Sequence, residues 1–390
     1  MSAVLAAASL ATDADKPIRV MIVDDAVVAR RLLTRWIDAE PDLTVVASLR
    51  TGREAVDQVA RSGCDVVVLD VDMPELDGIA ALPLLFEQKR DLVVIMVSTL
   101  TRRGAEVSLQ ALSLGAADYI AKPQAALDAG PLVSFQRELL EKIRSLGRRG
   151  RTLARLETHR EKPVAVRSPT TSSLERLDSP PPAETPRFRL RSFTPVLPRV
   201  LLIGSSTGGP QALTALISQI GAAIERAPTL ITQHMPPTFT TVLAEHLTRV
   251  GGRRVHEAEH GEAVVAGSVY LAPGGRHMRV VRGDGGPRIA LGDDPAVNFC
   301  KPAVDPLLSS AAQVWGAGSL ALILTGMGSD GARGAAAIAA AGGSVIAQDE
   351  ATSVVWGMPR VVAQAGLCSA VLPLGEIAAK INRLIAGGRA

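Results

Sequence analysis

Short apolar runs alternate with amphipathic stretches along most of this chain, and the alternation stops only once. Before residue 147, continuous apolar runs at Ile18–Val23, Leu43–Ala47, Val66–Leu69, Val93–Val97 and Tyr119–Ala121 predict buried strands. Between and after them, Val27–Asp38, Arg53–Arg61, Gly78–Glu87, Gly104–Leu114 and Leu132–Leu146 space their apolar residues as helices do. Strand followed by helix, repeated, predicts a doubly wound parallel sheet. Ligands of such sheets sit outside the carboxyl ends of the strands.

The pattern resumes near residue 199. Strands are predicted at Val200–Ile203, Leu230–Thr232, Val269–Leu271, Leu320–Leu324 and Ser344–Ala347, with a short one at Arg254–His256. Helices are predicted at Pro210–Ile220, Phe239–Thr248, Val304–Ala312, Gly331–Ala341, Pro359–Ala365 and Leu374–Leu384. Two alternating runs inside Arg276–Leu291, around Gly283-Asp284-Gly285-Gly286-Pro287, read as a β-hairpin inserted into this second, Rossmann-like α/β domain.

Between the two patterned regions the chain changes character. Residues 147–198 hold Ser168-Pro169-Thr170-Thr171-Ser172-Ser173 and Ser179-Pro180-Pro181-Pro182, a composition that builds no core and reads as a linker. Its first part, as far as Leu156, can continue the preceding helix. From Arg148 to Arg199, twelve Lys/Arg oppose five Asp/Glu, a net +7; the whole chain carries +3, so the rest sums to −4. Basicity belongs to this segment and does not describe a nucleic-acid-binding domain. The domain plan is therefore an extension at 1–16, a first domain at 17–146, the linker at 147–198 and a second domain at 199–386.

Composition narrows the class further. Of the 390 residues, 47% are hydrophobic and only 3% aromatic, so the cores must be aliphatic. No apolar run approaches the roughly 18 residues that span a bilayer, so no integral membrane protein is expected. The apolar Ala3–Ala8 stretch lacks a basic flank and reads as an extension, not a signal segment. Cys64, Cys300 and Cys368 show no metal-ligand spacing, as in a reduced cytoplasm.

Candidate chemistry gathers at strand ends. In the first domain Asp24-Asp25 end strand one, Asp70 ends strand three, Ser98-Thr99 end strand four and Lys122-Pro123 end strand five. In a parallel sheet these ends converge. Clustered carboxylates repel one another and call for a cation, and an all-oxygen set suits a hard ion such as Mg²⁺. A lysine and a hydroxyl nearby suit a phosphoryl group held on one carboxylate.

In the second domain, Leu202-Ile203-Gly204-Ser205-Ser206-Thr207-Gly208-Gly209-Pro210 reads as strand, tight turn and helix start, lifting the Ser206 hydroxyl clear of the sheet. Serine needs a base to act as a nucleophile. His234 follows the next strand, and Asp330 follows a later strand at the same edge. The N–H of Met327, in the glycine-rich turn before Asp330, is a candidate oxyanion donor. His260 and His277 are rival bases, and Asp305 and Asp349 rival orienters; Asp330 could equally be a helix N-cap. The order Ser, His, Asp departs from the familiar triad orders and argues against an α/β-hydrolase. A phosphate-binding reading of the same turn lacks the Gly-Lys-Ser/Thr ending of a P-loop and the acidic ribose ligand of a dinucleotide site.

Residues 17–146 closely resemble the response-regulator receiver family, through Val23-Asp24-Asp25, Leu69-Asp70-Val71-Asp72-Met73-Pro74-Glu75-Leu76-Asp77-Gly78 and Asp118-Tyr119-Ile120-Ala121-Lys122-Pro123. That resemblance implies a flavodoxin-like fold with Asp70 as phospho-acceptor. It implies Mg²⁺ held by Asp24, Asp25, Asp70 and the Asp72 carbonyl, Ser98 and Lys122 at the phosphoryl group, and Tyr119 as the aromatic switch. Thr99 replaces the small residue common after the switch hydroxyl. Residues 199–386 resemble the chemotaxis protein-glutamate methylesterase (CheB) family. The shared stretches include Ile203–Pro210, Gln233-His234-Met235-Pro236, Lys301-Pro302-Ala303-Val304-Asp305, Leu324–Gly334 and Gln348–Pro359. Ser205 and Cys300-Lys301 depart from its usual residues.

This second resemblance implies a phosphorylation-activated serine hydrolase with Ser206 as nucleophile, His234 as base and Asp330 as orienter. It would demethylate glutamyl esters and deamidate glutamines on methyl-accepting chemoreceptors, with a sensor histidine kinase as phosphodonor and no cofactor in the esterase site. A cytoplasmic monomer is expected. The alternative is a non-catalytic adaptor that binds receptors or kinase and acts as a phosphate sink.

Overall fold

The computed structural model describes residues 16–123, 129–160 and 188–388, with side chains omitted at 129–131 and 153–160. Most of the 1–16 extension and the centre of the 147–198 linker lie outside the described residues.

The first sheet has five parallel strands: β1 (Ile18–Val23), β2 (Leu43–Leu49), β3 (Val66–Asp70), β4 (Val93–Thr99) and β5 (Asp118–Lys122), in the order β2-β1-β3-β4-β5. Helices α1 (Val27–Asp38), α2 (Gly52–Ser62), α3 (Gly78–Gln88), α4 (Arg102–Ser113) and α5 (Ala129–Arg160) cover both faces. Every residue of β3 is consequently buried, which is why Val66–Leu69 reads as an unbroken apolar run. The chain places acceptor side chains where three helices begin: Thr51, Asp77 and Thr101 accept from Glu54, Ala80 and Gly104 N–H.

The second sheet has seven parallel strands in the order β14-β13-β12-β6-β7-β9-β8. These are β6 (Val200–Ser205), β7 (Thr229–Gln233), β8 (Val255–Glu257), β9 (Val269–Leu271), β12 (Ser319–Ile323), β13 (Ser344–Gln348) and β14 (Ala370–Leu372). The predicted hairpin is a separate antiparallel pair, β10 (His277–Gly283) and β11 (Gly286–Gly292). The helices are α6 (Gly209–Ile217), α7 (Gly221–Arg226), α8 (Phe239–Gly251), α9 (Val304–Trp315), α10 (Ala332–Ala340), α11 (Met358–Gln364) and α12 (Leu374–Ile385).

Three features differ from the pattern reading. The predicted helix Pro210–Ile220 ends at Ile217, and a separate turn of helix begins at Gly221. The edge strand β14 was not predicted, because three residues are too short to show a period. Residues 188–198 are not free linker. Arg191 N–H donates to Cys368 O at 2.8 Å, and the Phe188 ring meets Trp356 with centroids 5.7 Å apart. At the other end of the linker α5 continues to Arg160, so its 32 residues reach about 48 Å at 1.5 Å per residue. That length carries it from the first sheet to the second domain. No helix among the described residues is long and apolar enough to cross a membrane.

Candidate functional site

Each candidate site sits where its sheet's strand order reverses. In the first sheet β1 lies between β2 and β3, so the ends of β1 and β3 open a crevice. Asp24, Asp25 and Asp70 gather there, with carboxylate oxygens all within 4.8 Å of one another. Lys122 from β5 bridges two of them, at 3.0 Å from Asp24 Oδ2 and 2.8 Å from Asp70 Oδ2. Burial pushes the Asp70 carboxyl up to about 6, and Lys122 only partly offsets it. Burial also disfavours the Lys122 charge, yet Asp70 and Asp24 hold its proton above the ordinary lysine value. This oxygen set, compact and negatively charged, fits a hard divalent cation. The Asp72 carboxylate is outside the cluster and turns toward Arg103, leaving only its main chain for such a role.

Ser98 is buried and hydrogen-bonded to Ser108 of α4 at 2.8 Å. Ser108 donates its own proton to Gly104 O, so Ser98 is the donor. Tyr119 is also buried. Its ring stacks on Phe239, the first residue of α8, and burial raises its hydroxyl well above the ordinary range.

In the second sheet the reversal lies between β6 and β12. Ser206 follows β6 directly, donates its N–H to Thr325 O at 3.1 Å and is half-buried. Gly208 turns the chain into α6 with a φ of 74°. Gly204-Ser205-Ser206-Thr207-Gly208 is itself a Gly-x-Ser-x-Gly stretch, which corrects a reading of the turn as lacking that elbow and leaves triad order as the argument against an α/β-hydrolase. Gly326 packs against Ser206: a Cβ on it would stand 2.9 Å from the Ser206 Cβ. The Met327 turn is thereby held beside the serine. Gln233 supports the turn from below, donating to Ser206 O at 2.9 Å and accepting from Ser205 Oγ at 2.7 Å.

His234 follows β7, and its Nε2 donates to Asp330 Oδ2 at 2.8 Å. Asp330 is buried and also accepts from three main-chain N–H groups, of Val304, Asp305 and Gly331. Burial raises its carboxyl, but the hydrogen bond and charge of His234 outweigh that and hold it down at about 2. For His234 burial works against protonation, yet Cys300 and Asp330 together raise its proton affinity above the ordinary imidazole value.

The rivals have other partners. His277 is fully buried between Pro295 O and Ala303 N–H, and His260 accepts from Leu291 N–H. Asp349 closes its own turn on Thr352, and Asp305 binds Arg333 and Gly334 N–H. Sequence reasoning missed Asn298, which donates to Asp330 Oδ1 at 3.1 Å, and the nearness of Cys300 to His234. Neither lies in a periodic element, and only the departure at Cys300-Lys301 marked this segment in the sequence.

The first domain is docked on the second. Arg102 of α4 pairs with Glu245 of α8 at 2.6 Å, and Gln211 of α6 donates to Ala116 O at 3.3 Å. Helix α5 reaches the mouth of the second site. Arg137 covers the Phe299 ring at 3.7 Å, Ser145 meets the Met327 sulfur at 3.5 Å, and Arg149 donates to the carbonyls of Glu350 and Ala351.

Comparison with known proteins agrees with this layout. Residues 201–381 match the family model of the CheB methylesterase, and residues 20–129 that of the response regulator receiver domain. The protein-glutamate methylesterase/protein-glutamine glutaminase of group 2 operon of Rhodopseudomonas palustris is 58% identical, over 100% of both chains. Its counterpart 1 in Paramagnetospirillum magneticum is 50% identical, over 97% of this chain and 98% of its own. The crystal structure of the Thermotoga maritima CheB methylesterase catalytic domain, 41% identical, covers 48% of this chain and 100% of its own with a TM-score of 0.47. The chain, a receiver domain joined to a methylesterase domain, belongs to the protein-glutamate methylesterase/protein-glutamine glutaminase family.

Proposed function

We propose that this chain is a phosphorylation-activated serine hydrolase that removes methyl groups from glutamyl esters of chemoreceptors and deamidates receptor glutamines. The observation that carries the reading is the 2.8 Å bond between His234 Nε2 and Asp330 Oδ2, on the sheet edge where the Ser206 turn also lies. With Nε2 donating to Asp330, the proton from Ser206 would go to Nδ1, and the hydrogen bond between this ring and Cys300 would have to yield.

In this mechanism Ser206 Oγ attacks the ester carbonyl while its proton passes to His234. The carbonyl oxygen becomes an oxyanion, for which the Met327 N–H is the donor. Collapse expels the methoxy group, which takes the proton from His234 and leaves as methanol. Water then gives a proton to His234 and adds to the acyl-enzyme; the proton returns to Ser206 and a glutamate carboxylate is released. With glutamine the leaving group is ammonia. Asp330 holds the ring in one tautomer and stabilises the transient imidazolium.

Control falls to Asp70, the proposed acceptor of a phosphoryl group from a sensor histidine kinase. Asp24, Asp25, Asp70 and the Asp72 carbonyl would hold Mg²⁺, which neutralises charge on phosphoryl oxygens when bound. A phosphoryl group on Asp70 would draw Lys122 and Ser98 to itself. Ser98 would then leave Ser108, and α4 with its Arg102–Glu245 contact would lose that support. Helix α5 of the docked domain lies against Phe299 and Met327 at the mouth of the site, so its release would open the way to Ser206. The expected setting is the cytoplasm, and no nucleic acid is involved.

The deciding assay is methanol release from methylated receptor membranes, with and without a small phosphodonor. The wild-type chain should release methanol, faster with the donor, and Ser206→Ala should release none. Release by Ser206→Ala at the wild-type rate would remove the serine mechanism. No release by the wild type under either condition would favour the adaptor reading.

A further inference from the structure

Asp330 directly precedes the turn into α10 but does not cap that helix. Its carboxylate reaches α9, where Oδ2 accepts from Val304 N–H at 2.6 Å and Oδ1 from Asp305 N–H at 3.1 Å. Asp305, in the first turn of α9, reaches back the other way. It accepts from Gly334 N–H at 2.8 Å and Arg333 Nε at 2.9 Å, at the start of α10. The two helices are thus capped crosswise by a pair of buried carboxylates, and both negative charges face one small volume.

Asn298 stands between them. Its Nδ2 donates to Asp330 Oδ1 at 3.1 Å and to Asp305 Oδ2 at 3.2 Å. A side-chain amide nitrogen carries two protons, and here each serves one carboxylate. The backbone is shaped to deliver that amide. Asn298 and Phe299 have φ of 50° and 64°, and Val297 and Cys300 on either side exchange main-chain hydrogen bonds of 3.1 and 2.9 Å. This is a two-residue turn with both central residues left-handed, a place where asparagine is among the best-tolerated side chains.

We propose that Asn298 is a positioning residue of the esterase reaction: its amide holds the Asp330 carboxylate in the rotation that presents Oδ2 to His234, and separates it from Asp305. The role rests on the reading of Ser206, His234 and Asp330 given above. The charged and titratable groups around the pair come from four elements. Asp305 comes from α9 and Arg333 from α10. Cys300 comes from the turn itself, and His234 from the loop after β7. Of these only Asp305 competes with Asp330 for a donor, and Asn298 satisfies both. The main-chain N–H groups of Asp305 and Gly331 donate to Oδ1 and that of Val304 to Oδ2, and Asn298 adds a side-chain donor on Oδ1 that Asp305 shares.

Two substitutions separate this role from a merely structural one. Asn298→Gly is at ease in the left-handed turn and deletes only the amide. Asn298→Asp keeps the shape and replaces the donor by a third carboxylate. With the full chain, activated by a phosphodonor, methanol release by Asn298→Gly should show kcat lower by about 10- to 100-fold with KM nearly unchanged. In Asn298→Asp the added negative charge strengthens the hold on the His234 proton, so the acidic limb of the kcat profile should move to higher pH by about one unit. Should Asn298→Gly fail to fold, the Asn298→Asp profile decides alone. Wild-type kcat in Asn298→Gly, or an unmoved limb in Asn298→Asp, overturns the role of Asn298 while an inactive Ser206→Ala leaves the proposed function standing. An active Ser206→Ala overturns both.

Discussion

The Tyr119 ring of the receiver domain lies flat on the Phe239 ring of the methylesterase domain, with centroids 4.9 Å apart and planes 9° from parallel. The first residue is the proposed aromatic switch of the receiver, and the second opens α8. One ring pair therefore joins the element proposed to respond to phosphorylation and the domain it would restrain. Stacked pairs contribute about 0.5–1.5 kcal/mol beyond their buried area. Tyr119→Ala should accordingly raise basal methanol release, without phosphodonor, by roughly two- to tenfold, since 1.4 kcal/mol is tenfold in an equilibrium. Basal release equal to the wild type would mean that this contact does not restrain the enzyme.

Asp70→Asn should keep the basal rate, because the amide alters neither Ser206 nor the docked surface. The same variant should show no stimulation by a phosphodonor. A stimulated Asp70→Asn enzyme would show that the gate answers to some other group. The control is the mass of the intact chain, which should gain a phosphoryl group only when Asp70 is present.

The raised proton affinity of His234 has a direction that kinetics can read. A base acts only after losing its proton, so a raised value moves the acidic limb of the kcat profile above the 6.5 of an ordinary imidazole. Cys300 is one of the groups that raise it. Cys300→Ala should therefore shift the limb to lower pH, measured as methanol release from about pH 5 to about pH 10. A limb that stays in place would assign the effect to Asp330 alone.

Gly208 cannot be exchanged cheaply. Its φ is 74°, and a Cβ there would run into Val354. A left-handed backbone alone costs an L-residue roughly 1–2 kcal/mol. Gly208→Ala should lower the melting temperature of the methylesterase domain by several degrees, read by circular dichroism or calorimetry, and should displace Ser206. An unchanged melting point would imply that the turn relaxes around the new methyl.

Much of this was legible from the chain. Asp24, Asp25, Asp70, Ser98 and Lys122 were found because parallel strands deliver their C-terminal residues to one edge, so a position in the pattern becomes a position in space. The same rule brought Ser206, His234 and Asp330 forward. What it could not rank was His234 against His260 and His277, or Asp330 against Asp305. His277 opens β10, Asp305 lies in the first turn of α9 and the others occupy loops, and the choice depends on which side chains hydrogen-bond across 96 residues. Asp330 also looked like an N-cap of its own helix. It is a cap, but of α9, whose N-terminus is 26 residues earlier.

The sequence by itself determined the two sheets, the strand ends that carry the reactive groups, and the basic break between the domains, because these follow from local periodicity and from strand direction. Tertiary structure decided the rest. It chose the His234–Asp330 pair, set Asn298 between two carboxylates, carried α5 across to Met327 and Arg149 to the 350–351 carbonyls, and laid Tyr119 on Phe239. These contacts join residues far apart in the chain. Their energies depend on burial and on orientations that only packing brings about, and no window of neighbouring residues contains both partners.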